Sequence, residues 1–172
     1  MFGIILYRPE KPANVGNIIR TCSATKTPLF IIGPLTFKLN NESLKRAGLD
    51  YIQASSIQVF ENYEEFLLSF KEKNIYYITR YSKELYSGAQ LSDPVEDTYF
   101  MFGSESSGIP HEILRKNLNK ILRIPMIASA RSLNLSNSVA IVLYEAFRQI
   151  NFYGLSTSEI IKGENFLINE KN

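Results

Sequence analysis

The sequence predicts an α/β domain built on a mainly parallel sheet with helices on both faces. Three observations point there. Short apolar runs alternate with helix-period segments along the chain. The apolar runs are near-continuous, the pattern of strands covered on both sides. Pro, Gly and Asn mark the junctions between segments. Strands joined through helices pair in parallel by right-handed crossovers.

The elements follow in order. Phe2 to Tyr7 reads as a buried strand, ended by Pro9 and Pro12. Asn14 is expected to cap a helix through Ala24, with Ile18, Ile19 and Cys22 on its apolar face. Leu29 to Ile32 is a second strand, stopped by Gly33-Pro34. Asn41 or Ser43 is expected to cap a short helix ending near Gly48, and Ser56 to Phe60 reads as a short strand. Asn62 caps a helix through Lys73 with Phe66, Leu67 and Phe70 on one side. Ile75 to Thr79 is a strand, followed by a polar loop from Arg80 to Asp97 and a strand from Thr98 to Phe102. Pro110 opens a helix to about Leu118, since proline fits the first helical turn. Ile121 to Met126 is the last strand. A long helix from Leu135 to Ile150 closes the pattern, with Leu135, Val139, Val142, Leu143, Ala146, Phe147 and Ile150 at helical spacing. Residues 1–155 read as one domain; residues 156–172 form a polar tail with an isolated apolar patch at Phe166-Leu167-Ile168 and no functional reading.

A chain of 172 residues suits a single domain with a self-sufficient core. With 45% hydrophobic and 21% charged residues, a largely disordered chain is excluded. No apolar run reaches the roughly 18 residues of a membrane span. The start has no basic region and no small-residue cleavage site, so no signal peptide or membrane association is expected, and the cytoplasm is the expected compartment. The single cysteine, Cys22, excludes an internal disulfide, and with a single histidine no metal site is expected. The 19 Lys and Arg against 17 Asp and Glu leave a net charge of +2. Nucleic-acid-binding domains are often more basic. RNA contact would need local clusters (Lys45-Arg46, Arg115-Lys116 with Lys120, and Arg123) or surfaces pooled between subunits.

In parallel sheets ligands bind at the carboxyl ends of strands, and three loops there are unusual. Asn14-Val15-Gly16-Asn17-Ile18-Ile19-Arg20-Thr21 places a glycine near a helix start; it reads either as a capped helix with a surface arginine or as a close approach to a ligand. Phe102-Gly103-Ser104-Glu105-Ser106-Ser107-Gly108-Ile109-Pro110 reads either as a plain turn or as a loop whose glycines let backbone amides approach a ligand. It is neither a Walker loop nor GxGxxG, and the missing GxGxxG after the first strand speaks against a nucleotide-cofactor oxidoreductase. Ser129-Ala130-Arg131-Ser132-Leu133-Asn134-Leu135-Ser136-Asn137-Ser138, after Ile124-Pro125-Met126, offers more capping groups than one helix start needs. His111, the single histidine, opens a helix and reads as a surface residue.

These segments resemble, in order, the three motifs of the SPOUT-class RNA ribose 2′-O-methyltransferases. The likeness is closest to their small TrmL/YibK-like tRNA wobble-nucleotide branch, and Arg46-Ala47-Gly48-Leu49-Asp50-Tyr51 and Tyr144-Glu145-Ala146 add to it. It runs from about Leu6 to Gly154. The resemblance implies a deep trefoil knot in the C-terminal part of the fold, a homodimer, and S-adenosyl-methionine as co-substrate with no metal and no obligate protein partner. It implies methyl transfer to the ribose 2′-hydroxyl of a tRNA wobble cytidine or uridine. Gly103, Ile124 and Ser132, with Ile78 as a looser match, fall on cofactor positions. Arg20 falls on the central catalytic position, with Asn14, Glu105, Asn134 and Tyr144 around it. A guanidinium with a pKa above roughly 12 is a fixed cation rather than a base. Glu105 would either take the hydroxyl proton or orient Arg20. The alternatives are the same chemistry on another RNA, such as ribosomal RNA, and a non-catalytic RNA-binding protein on the same fold.

Overall fold

The computed structural model describes residues 1–39, 57–92 and 96–169. Among these, six strands form one sheet: β1 (Phe2–Tyr7), β2 (Leu29–Ile32), β3 (Ile57–Phe60), β4 (Asn74–Ile78), β5 (Thr98–Phe102) and β6 (Ile121–Leu122). The helices are α1 (Pro12–Ala24), α2 (Tyr63–Phe70), α3 (His111–Lys116), α4 (Leu135–Gln149) and the short α5 (Phe166–Asn169). A 3₁₀ turn at Leu118–Lys120 leads into β6. The strand order is β3-β2-β1-β5-β4-β6, and every pairing is parallel.

The central strands explain themselves by their side-chain period of two. In β1, Phe2, Ile4 and Leu6 enter one core with Val15, Ile18, Ile19 and Cys22 of α1 and with Val139, Val142, Leu143 and Ala146 of α4. Ile5 and Tyr7 enter the opposite core with Phe66 and Phe70 of α2 and Ile113 and Leu114 of α3. Helices therefore cover both faces, as the continuous apolar runs require. Phe66 and Phe100 are fully buried, so truncating either to alanine would cost about 3–5 kcal/mol.

Four details depart from the sequence reading. Helix α1 begins at Pro12, and its cap residue Lys11 makes no side-chain capping bond. Asn14 lies inside the first turn and does not cap it, because the proline two residues earlier already starts the helix. Helix α2 is capped by Asn62 as expected, whose side chain accepts the Glu65 amide, but it ends at Phe70. Its Leu67 turns outward, since only the i,i+4 pair Phe66 and Phe70 faces the sheet. Strand β6 stops at Leu122 instead of running to Met126. Beyond it the Arg123 amide donates to Glu84 and its carbonyl accepts from Tyr86, so the chain pairs with a loop and leaves the ladder. The expected short helix after Asn41, the start of the Ser56 strand and the Lys45-Arg46 cluster lie outside the described residues.

The order of strands reverses between β1 and β5. Successive crossovers carry β2 and β3 to one side of β1, while β4 and β6 lie on the other. Crevices at such switch points, outside the carboxyl ends of the strands, are where open α/β sheets bind ligands. No helix of the described residues is long and apolar enough to cross a membrane.

Candidate active site

A cavity of about 520 Å³ opens at these carboxyl ends, within the 300–1,000 Å³ range of small-molecule sites. Its walls come from the end of β4 (Ile78), the end of β5 with its loop (Phe102 to Ile109), the segment after β6 (Ile124 and Met126) and the loop before α4 (Arg131 to Leu135). Ile78, Gly103, Ile124 and Ser132 all line it.

One asparagine in the first turn of α1 joins two loops to it. The buried Asn14 donates from Nδ2 to Glu105 Oε1 at 2.7 Å. Its Oδ1 accepts from Asn134 Nδ2 at 3.0 Å. Asn134 in turn caps α4, its Oδ1 accepting from the Ser136 and Asn137 amides at 2.9 and 3.3 Å. Glu105 also accepts the Glu10 amide at 2.8 Å and the Lys11 amide at 3.2 Å. Its carboxylate stands at the N-terminus of α1, where the helix dipole favours negative charge. Partial burial pushes the Glu105 carboxyl up. The amides of Glu10 and Lys11, the Asn14 side chain and its own amide outweigh that, and its pKa falls below the usual carboxylate range.

The loop after β5 is closed on itself. The Gly108 amide donates to the Ser104 carbonyl at 2.9 Å, and the Ser104 and Ser107 hydroxyls lie 2.7 Å apart. A Cβ on Gly103 would stand 2.0 Å from the Gly108 carbonyl carbon and 2.2 Å from the Ile109 nitrogen. Gly103 is therefore bare so that the returning loop can cross it. Gly108 itself has φ +71°, a left-handed turn conformation suited to glycine.

Of the five expected catalytic residues, Asn14, Glu105 and Asn134 converge on the cavity. Arg20 and Tyr144 do not line it. Arg20 is exposed on α1, and Tyr144 is exposed on α4 with its ring 6.4 Å from Phe147. These two helices pack against each other, so both residues belong to one helical layer. His111 is exposed as expected, yet its ring meets Tyr81 edge-on at 5.1 Å. Of the basic groups, Lys120 binds Asn74 and covers Tyr76, while Arg123 donates to the Arg80 carbonyl at 2.7 Å. Both serve the fold. Arg115 and Lys116 remain exposed. Burial pushes the Cys22 thiol up to about 12, which leaves it protonated and unreactive.

The sequence marks the loop after β4 only as a polar stretch starting at Arg80, at a strand end where a ligand is expected, and gives neither Arg80 nor Tyr81 a role; both line the cavity with Lys11. The available signal was an arginine beside an aromatic directly after a buried strand.

The SpoU rRNA methylase family matches residues 1–144. A tRNA (cytidine(34)-2′-O)-methyltransferase of Methylovorus glucosotrophus is 43% identical over 155 residues, covering 90% of this chain and 99% of its own. A solved structure described as giving insights into the 2-OH methylation of C/U34 on tRNA superposes with a TM-score of 0.79. It is 36% identical and covers 88% of this chain and 97% of that one. An AdoMet-bound rRNA methyltransferase from Sinorhizobium meliloti superposes with a TM-score of 0.75 at 26% identity, covering 87% of this chain and 56% of that one. The chain described here belongs to the SpoU methylase family.

Proposed function

We propose that this protein transfers a methyl group from S-adenosyl-methionine to the ribose 2′-hydroxyl of the tRNA wobble nucleotide, a cytidine or uridine at anticodon position 34. The observation that carries the reading is the bonded triad Glu105–Asn14–Asn134, which locks the start of α1 and two loops around one cavity at the sheet's switch point. The homologues' names supply the substrate.

The cavity suits the co-substrate's chemistry. Ile78, Ile124 and Leu135 offer an apolar slot for a purine, and the Gly103 to Gly108 backbone and Ser132 offer polar partners. When bound, S-adenosyl-methionine supplies an electrophilic methyl group on its sulfonium. The protein's task is then to orient the ribose oxygen and favour loss of its proton. Arg20 acts as a fixed cation that stabilises the developing alkoxide. Tyr144 orders its surroundings by hydrogen bonding. Glu105 is a positioning residue in this scheme. Both its oxygens already accept hydrogen bonds, and its lowered pKa makes it a weak base. The proton leaves to water or a substrate phosphate.

Arg20 and Tyr144 lie on the outer layer of α1 and α4, which supports a homodimer formed through these helices. The two copies would pool their basic surfaces into one RNA groove. We also read residues 1–155 as one catalytic domain with a deep C-terminal knot, and 156–172 as a tail outside it. What supports the knot is the loop from Thr79 to Leu91. It bonds Ile121 and Arg123 on one side and Gln149 of α4 on the other. The protein is expected to work in the cytoplasm.

The test is incubation with labelled S-adenosyl-methionine and unmodified tRNA, followed by nuclease digestion. The expected product is 2′-O-methylcytidine or 2′-O-methyluridine at position 34. A base-methylated nucleoside, or transfer to ribosomal RNA alone, would overturn the reading.

A further inference from the structure

We propose that Arg80, Tyr81 and His111 form a stacking platform for a nucleobase flanking the methylated nucleotide. The inference rests on the RNA-methylating function proposed above and extends it to how the strand is held.

The loop after β4 is pinned from below. The Thr79 amide donates to Leu122 at 2.9 Å, Arg123 donates to the Arg80 carbonyl at 2.7 Å, and the Ser82 hydroxyl donates to Ile121 at 2.8 Å. The backbone is therefore fixed, yet the Tyr81 ring stands 55% exposed at the cavity wall. Two neighbours hold that ring. The Arg80 guanidinium carbon lies 5.1 Å from its centroid, and Arg80 Nη2 donates to its hydroxyl at 3.3 Å. The His111 ring meets it at 5.1 Å with an interplanar angle of 89°.

A large ring left in water on a rigid support is ready to bury area without further ordering, which is the condition for strong stacking. Bases stack on aromatic rings and on guanidinium planes, and this site presents a guanidinium over an aromatic ring that is still largely exposed. The charges around it suit a phosphate-bearing strand. Lys11, Arg80 and Arg131 line the cavity, and the Glu105 carboxylate among them is occupied by amides and Asn14. The purine of the co-substrate has its own apolar slot at Ile78, Ile124 and Leu135, which leaves the exposed platform to the second substrate.

The experiment uses an RNA hairpin with the anticodon-loop sequence and the fluorescent base 2-aminopurine at either nucleotide flanking position 34. The wild-type protein should quench the probe by stacking. Tyr81→Ala should abolish the quench and weaken hairpin binding about 5- to 150-fold, the range for loss of one base–aromatic stack. Tyr81→Trp should restore both. S-adenosyl-methionine affinity, measured by calorimetry, should be the same in all three proteins. Tyr81 is exposed, so melting temperatures should agree; Tyr81→Leu, which keeps bulk without a π face, should behave like the alanine variant. Unchanged quench and binding in Tyr81→Ala would overturn the proposal. So would a loss of co-substrate affinity in that variant, because the ring would then serve the co-substrate. If the wild type quenches the probe but methylates no hairpin, the platform stands and the wobble-nucleotide reading falls.

Discussion

Replacing Gly103 by alanine should damage this protein far more than replacing Gly108, and for different reasons. A methyl at 103 would stand 2.0, 2.2 and 2.5 Å from the Gly108 carbonyl carbon, the Ile109 nitrogen and the Gly108 Cα. Relaxed carbon–carbon contacts lie near 3.5 Å, so the two crossing segments must part by about 1.5 Å. All three obstacles are backbone atoms, so no side chain can swing aside. Separation opens the Gly108-to-Ser104 hydrogen bond and moves Glu105 against Asn14. Overpacking costs about 1–3 kcal/mol or more, and each broken bond adds about 1 kcal/mol, for a total of about 3–5 kcal/mol. For a chain of this size that lowers Tm by about 6–20 °C. At Gly108 nothing lies within 4 Å of an added Cβ, so only the left-handed φ opposes alanine. That strain is about 1–2 kcal/mol, or about 2–8 °C. Scanning calorimetry of both variants, with co-substrate titrations, checks the order. If Gly103→Ala melts like wild type, or Gly108→Ala is the less stable, the crossing-loop argument fails. If Gly103→Ala keeps its Tm but loses co-substrate affinity, the glycine is bare for a ligand.

Four further outcomes are expected. Glu105→Gln sets an amide NH₂ against the N–H groups that the carboxylate accepts and should lower stability by about 2 kcal/mol at neutral pH. Because the folded pKa lies below the ordinary 4.5, the wild-type advantage should be full above that value and shrink as pH falls below it, as thermal melts from pH 7 downward can show; a gap constant down to pH ~3 contradicts the assignment. Arg20→Lys keeps the charge but loses the planar fork, so single-turnover methyl transfer should slow about 100-fold or more with unchanged co-substrate affinity, and near-wild-type turnover refutes the role. In Gly3→Ala the new methyl would meet the Tyr99 ring at 2.5 Å, and that ring is held by Phe30 and Phe70 at 5.8 and 5.0 Å. Denaturant melts should show a loss of about 1–3 kcal/mol. Sedimentation should find a dimer at low micromolar concentration, and a fully active monomer would dismiss the α1–α4 interface.

How much of this was legible in the sequence depends on how local each cause is. Strands β1 and β5 were readable residue for residue, because burial on both faces writes a continuous apolar run. Helix α4 was readable from its apolar period, while its cap, Asn134, was one of several capping groups the sequence offered there. Local pattern alone showed the site as three polar loops at strand ends, and only the family resemblance singled out Asn14, Glu105 and Asn134 within them. Asn14 carried a plausible local explanation as a cap, but its partners are Glu105 and Asn134, 91 and 120 residues away. No spacing rule spans such distances. The apolar run from Ile121 promised a strand to Met126, yet only Leu122 and its neighbour find a ladder; Arg123 bonds the loop at Glu84 and Tyr86, and Pro125 has no amide to donate. Gly103 and Gly108 suggested room for a ligand, and the room at Gly103 is taken by the loop itself. The same limit hid Tyr81. An exposed aromatic looks unremarkable in a sequence, and its meaning arises only when Arg80, His111 and a cavity wall gather round it. The sequence thus reports each loop's readiness for chemistry, while the pairing of loops that makes a site is a property of the crossover order alone.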